Sequence, residues 1–207
     1  MLKLKTRIRT PLFLSPEDAG RRLTPRRFDE ADFEEGWRYE LIQEVLVVTP
    51  IPRKASRGLA GKLIQWLQNY ADRLGKGIEF LTALFEETIE LPNGSRRRCD
   101  VGVWIELGRN PGAHDVPTIT VEIVSKRASD VRRDYVDKRA DYLAAGVQEY
   151  WIIDRFRRTM TVLRRRGGRW QQRVVQEDEV YTTPLLPGFE LKLRDLLAHA
   201  DALAQEN

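Results

Sequence analysis

Apolar positions recur at two periods along this chain, and the switches between them mark its elements. The run from Thr118 to Val124 (TITVEIV) is dense in β-branched residues and reads as a strand, as does Tyr150 to Ile153. Between them Ser129 or Asp130 offers an N-cap, a helical pattern runs from Asp130 to Ala145, and Gly146 ends it. A strand, helix, strand unit of this size predicts two parallel strands joined by a right-handed crossover.

Helical spacing of Leu59, Leu63, Leu67, Tyr70 and Leu74, with Trp66 beside them, predicts a long amphipathic helix from about Ala55 to Leu74. Its aromatic residues belong to a packed face. Thr24-Pro25 predicts a short helix through about Phe33. Arg38 to Thr49 alternates and then turns apolar, predicting one or two antiparallel strands that Pro50 and Pro52 end. Ile78 to Glu90 supplies one strand or a bent pair, Pro92-Asn93-Gly94 a turn, and Cys99 to Ile105 a strand. Thr159 to Arg165 and Trp170 to Val175 flank Gly167-Gly168 as a hairpin. Pro184, Pro187 and Gly188 break the chain before a closing strand and a terminal helix from about Leu193. The fold class is therefore α/β (α+β mixed sheet), with a central mixed β-sheet flanked by helices in a single domain over residues 24–207. Residues 1–23 precede it as an N-terminal arm or edge strand, because KLKTRIR alternates charge with apolar residues.

Composition narrows the setting. With 42% hydrophobic and 32% charged residues in 207, the chain is an ordinary globular protein. No apolar run approaches the ~20 residues of a membrane span, and the N-terminus lacks a signal-peptide core, so a cytoplasmic location is expected. One cysteine, Cys99, excludes an intrachain disulfide framework. The net charge of +4 and the predominance of arginine admit nucleic acid as a partner without requiring it.

Several chemistries fall away. With only His114, His199 and Cys99, a closed nitrogen and sulfur zinc site has no ligand set. Neither a Gly-x-Ser-x-Gly elbow nor a Walker or Gly-x-Gly-x-x-Gly loop is present. Acids and a lysine remain. Glu122 stands inside an otherwise apolar strand, where an ionised carboxylate must be paired, hold a metal, or sit at a half-exposed edge. Asp100 opens the preceding strand, and Glu40 lies in an earlier one. Asp134, Lys138 and Tyr142 recur every fourth residue and share one helical face. Two carboxylates from neighbouring strands suit Mg²⁺ or Mn²⁺, and a lysine reaching over them could orient water or stabilise charge during phosphodiester hydrolysis.

The segments CDVGVW, TVEIVS and DYVDKRADYLAAGVQEYWIID, with WRYELIQEVLVVTP upstream, resemble a large bacterial family labelled putative restriction endonuclease (Uma-type), within the PD-(D/E)XK nuclease superfamily. The resemblance spans about residues 24–197. It implies a restriction endonuclease-like core and a metal-dependent endonuclease hydrolysing DNA. It assigns Asp100 and Glu122 to Mg²⁺ (or Mn²⁺), with the Ile123 carbonyl a further ligand and Glu40 an auxiliary acid. Val124 occupies the position of the superfamily's usual lysine, and the resemblance moves that role to Lys138, with Lys126 the rival by proximity. A homodimer is implied by analogy, DNA is the expected partner, and RNA is not excluded. A catalytically weak or inactive module that binds nucleic acid or a protein partner is the alternative. A hydrolase acting on RNA or a nucleotide is a third reading.

Three positions depart from the family pattern. Cys99 replaces the usual proline before Asp100, Gln43-Glu44 replaces an acid and glycine at a turn, and no histidine opens the long helix near Ala55-Ser56. Arg96-Arg97-Arg98 and Arg164-Arg165-Arg166 with Arg169 read either as phosphate grips or as ordinary solvated turns.

Overall fold

A computed structural model describes residues 11–78 and 80–205. The alternating segment at residues 3–9 lies outside the described residues. The chain forms two compact units, one of residues 11–51 with 93–96 and one of 52–92 with 97–205.

In the first unit, β1 (Phe13–Leu14) pairs in parallel with β2 (Asp32–Phe33), and α1 (Pro25–Asp29) lies between them in sequence. Thr24 caps α1 by accepting from the Arg27 N–H at 3.3 Å, with Pro25 at the first helical position. The helix stops at Asp29 rather than continuing to Phe33, whose ring turns to stack on Phe28 and Tyr39. The antiparallel pair β3 (Trp37–Ile42) and β4 (Val45–Pro50) is turned by Gln43 and Glu44, both at positive φ. Leu14, Leu23, Phe28, Tyr39, Leu41 and Leu46 form this unit's core.

The second unit opens with α2 (Lys54–Arg73), then β5 (Leu81–Phe85) and β6 (Thr88–Glu90), a bent pair broken at Glu86. After β7 (Arg96–Arg98) come β8 (Val101–Ile105) and β9 (Ile119–Ile123). The crossover is helical but not uniform. It comprises α3 (Ala128–Arg132), a π-helical turn over Arg133–Asp137, and α4 (Lys138–Ala145), ended by Gly146 at φ 100°. The helix begins before the expected caps, so Ser129 and Asp130 lie within its first turn, and the Val131 N–H already bonds the Arg127 carbonyl. Then follow β10 (Glu149–Asp154), β11 (Thr159–Arg166), β12 (Arg169–Gln176), β13 (Val180–Thr183), β14 (Leu186–Lys192) and α5 (Leu193–Gln205). β14 includes Pro187 and Gly188 and pairs with β13, so those residues sit within the closing strand instead of ahead of it.

The central sheet is mixed, ordered β12-β11-β10-β9-β8-β5. β9 and β10 are parallel, as the crossover unit predicts, and the remaining neighbours are antiparallel. Side chains of β9 alternate between its faces. Ile119, Val121 and Ile123 join α2 and α5 in one core, while Val124 joins Tyr142, Tyr150 and Ile152 in a second core under α4. Burial on both faces explains why β9 reads as a nearly continuous apolar run. At Gly58 a Cβ would run into Leu203 Cδ1, because α2 and α5 approach closely there. Among the described residues no helix is long and apolar enough to cross a membrane.

Candidate active site

The end of β9 brings the first two residues together. β8 and β9 pair up to Val101 and Val121, and just beyond this pair the Asp100 N–H also bonds the Val121 carbonyl, which sets Asp100 beside Glu122. Asp100 Oδ2 accepts the Ile123 N–H at 2.6 Å, tying this carboxylate to the end of β9. Glu122 is only 2% exposed, at the middle of the sheet, which removes the half-exposed edge expectation.

The crossover supplies the third. Lys138 Nζ lies 2.8 Å from Glu122 Oε2 and donates to the Arg98 carbonyl at 2.9 Å. Tyr142 O–H donates to the other oxygen, Glu122 Oε1, at 2.6 Å. Asp134 Oδ1 stands 3.9 Å from the same ammonium and 3.5 Å from Arg133 Nε. Asp134, Lys138 and Tyr142 are all buried, so their fourth-residue spacing does mark one inward face. The π-turn ends where Lys138 begins; such turns concentrate at functional sites because an extra residue re-aims the side chains around them.

Electrostatics follow from this burial. Desolvation pushes the Glu122 carboxyl above the ordinary range; Lys138 opposes the shift, and the neighbouring charges of Asp100 and Asp134 add to it. Asp134 is likewise raised, by burial first. Tyr142 is held well above its usual value by burial and by the adjacent Glu122, so its hydroxyl remains a donor.

Two further expected residues are Glu40 and Lys126. Glu40 is buried on β3 of the first unit, opposite Val47. Lys126 is exposed in the loop after β9 and Lys138 is the lysine on Glu122. Neither expectation for Arg96 to Arg98 holds. Arg96 makes a two-point pair with Asp29, Arg97 pairs with Asp141 at 2.6 Å, and Arg98 donates to the Glu86 carbonyl at 2.8 Å. These side chains serve as internal struts. Arg164 behaves similarly, contacting the fully buried Glu149 at 2.7 Å.

Sequence reasoning put Asp134, Lys138 and Tyr142 on one helical face but missed the Tyr142 hydroxyl as a partner of Glu122. The Arg98 carbonyl carries no sequence signal, since every residue has one.

The donor set fits a hard divalent cation in kind: the buried carboxylate oxygens of Asp100 and Glu122, brought together at the end of β9. Among the described residues no group of three or more His, Cys, Asp or Glu side chains converges, so such an ion would take few protein ligands.

The family model Uma2, described as "Putative restriction endonuclease", matches residues 25–194. Among solved structures, a crystal structure described as a putative nuclease belonging to DUF820, from Anabaena variabilis, matches with a TM-score of 0.69. The two are 18% identical, and the match covers 86% of this chain and 99% of that one. At that identity the likeness shows a shared fold. No curated protein matches the sequence.

Proposed function

Since this chain belongs to the Uma2 family of putative restriction endonucleases, we propose that it hydrolyses phosphodiester bonds in DNA with a divalent metal. The observation that carries this reading is the buried convergence of Asp100, Glu122 and Lys138 from two strands and a helix. Asp100 and Glu122 would hold Mg²⁺ or Mn²⁺. When bound, the ion supplies Lewis-acid polarisation of the phosphate and a lowered pKa for water.

The chain's own groups do the rest. Tyr142 holds Glu122 in one rotamer through Oε1. The Arg98 carbonyl anchors the Lys138 ammonium, which would orient the attacking water or stabilise the phosphate oxygen that gains charge. Water oxygen bonds to phosphorus, the ester oxygen leaves, and a proton passes to that leaving oxygen. Glu40 enters the proposal as an auxiliary acid through the family resemblance alone. Cutting both strands at one locus would take two copies, so a homodimer belongs to the same proposal.

A nuclease-fold module that binds nucleic acid without cutting is the second reading. It is favoured by the occupation of both Glu122 oxygens by Lys138 and Tyr142. Plasmid nicking in Mg²⁺ and Mn²⁺, beside metal titration calorimetry, separates the two. The proposal expects Asp100→Ala and Glu122→Ala to lose metal binding, and Lys138→Ala to lose nicking by about 100-fold or more. Undiminished nicking in folded Asp100→Ala would sink it. Nucleic-acid binding by a wild type that never nicks would favour the second reading.

A further inference from the structure

The turn from β10 to β11 carries a surface that the carboxylate cluster does not use. Its sequence is Asp154-Arg155-Phe156-Arg157-Arg158. Asp154 is 2% exposed, and its Oδ1 accepts the N–H groups of Phe156 and Arg157 at 2.9 and 3.0 Å. A buried carboxylate thus fixes the turn. At its tip Phe156 is 47% exposed. The Arg155 guanidinium lies 5.0 Å from the ring centroid and has no carboxylate partner among the described residues. The exposed Arg157 side chain lies 5.6 Å from the Tyr135 ring and only loosely, at 3.7 Å, from Asp154.

This turn stands at the same end of the sheet as the carboxylates. β9 and β10 are parallel, Glu122 is opposite Ile152, and the Val124 N–H bonds the Ile153 carbonyl. Asp154 is therefore one strand across and two residues along from Glu122 on the same face, about 8 Å between Cα atoms by standard strand spacing. Contacts also link the two: Tyr135 O–H reaches Asp154 at 3.5 Å, from the same π-turn that presents Asp134 and leads into Lys138. Exposed Lys126 and Arg127 follow β9 at this end. A few nucleotides at about 3.4 Å each would span from the carboxylates to the turn.

We infer that the Arg155-Phe156-Arg157 turn is a substrate-positioning element for single-stranded nucleic acid, the two guanidiniums gripping phosphates and the Phe156 ring stacking on an unpaired base. The inference rests on the nucleic-acid reading of the neighbouring cluster and specifies the strand form it takes. An aromatic face is open to a base only where that base is unstacked, and an adjoining arginine neutralises the phosphates on either side. A protein partner would need no such combination of ring and unpaired guanidinium.

Fluorescence anisotropy of a labelled single-stranded 20-mer and its duplex, in EDTA so that nothing is cut, tests it. Phe156→Ala is expected to weaken single-strand binding about tenfold, with little change for duplex, and Phe156→Trp to restore it. Arg155→Ala and Arg157→Ala are each expected to lower the slope of log affinity against log salt by about 1 on both oligonucleotides. Equal melting temperatures keep these comparisons on folded protein. Single-strand affinity unchanged in Phe156→Ala, or no binding by wild type, overturns the inference. So does wild-type binding of heparin that Phe156→Ala weakens equally, since that marks a general polyanion surface. Phe156-dependent binding in a protein that never nicks would instead refute the nuclease reading and leave the positioning turn standing.

Discussion

Replacing Asp100 by asparagine should make the metal-free protein more stable while abolishing its activity. Asp100 accepts the N–H of Ile123, the residue after Glu122, and its charge adds to the burial that raises the Glu122 carboxyl; side chains adjacent across an antiparallel pair have Cβ atoms about 5 Å apart. Two unit charges at that separation repel by about 3 kcal/mol at an effective dielectric constant of about 20. Lys138, 2.8 Å from Glu122, offsets part of this. Protonation of Glu122, favoured by its burial, removes more. A net relief of about 1–2 kcal/mol remains reasonable at alkaline pH, where Glu122 is ionised. Asparagine keeps a carbonyl oxygen for the Ile123 N–H. For a chain of this size the gain corresponds to a melting temperature higher by roughly 2–8 °C. Scanning calorimetry in EDTA measures it. Adding Mg²⁺ should then raise the wild-type melting temperature, by about 2.7 kcal/mol of added stability at a hundredfold excess over Kd, and leave Asp100→Asn unmoved. A lower melting temperature for Asp100→Asn in EDTA would refute the like-charge argument. An equal Mg²⁺ response in both proteins would refute Asp100 as a ligand.

Other predictions rest on separate parts of the molecule. Glu149 is fully buried and accepts from Arg164, Trp151, Tyr181 and Thr183, so Glu149→Ala should cost about 3–5 kcal/mol by urea denaturation, and a loss under 1 kcal/mol would show these bonds to be dispensable. Gln43 and Glu44 occupy left-handed backbone in a two-residue hairpin turn, where Asn-Gly is preferred; Gln43→Asn with Glu44→Gly should therefore stabilise by about 0.5–1 kcal/mol, and a lower urea midpoint would contradict this turn geometry. The Arg109 side chain and the Gly112 N–H hold the Asp115 carboxyl down at about 2. Its folded pKa is depressed, so its contribution is complete above the ordinary value of 3.8 and is lost as pH falls toward 2. NMR titration should find that low midpoint, and Arg109→Ala should move it upward.

Sequence periodicity by itself determined most of the architecture. The parallel pair around the crossover helix, the long α2 and the β11–β12 hairpin follow from which positions are apolar, because a helix or strand must turn those positions toward a core. Residue type likewise marked Asp100, Glu122 and Lys138, since a charge inside an apolar run requires a partner. Tertiary structure decided the partners. Glu149 draws its donors from as far as Tyr181 and Thr183, on a strand the local pattern did not reveal. Arg97 spends its charge on Asp141 of α4, although its neighbours in the chain suggested a phosphate grip. The π-turn before Lys138 was hidden as well, because one added residue in a helix hardly alters its apolar spacing. Hydrophobic spacing is a property of a few consecutive residues and survives in the sequence. Satisfaction of a buried polar group depends on which distant atoms folding brings within 3 Å, and only the packed chain specifies those.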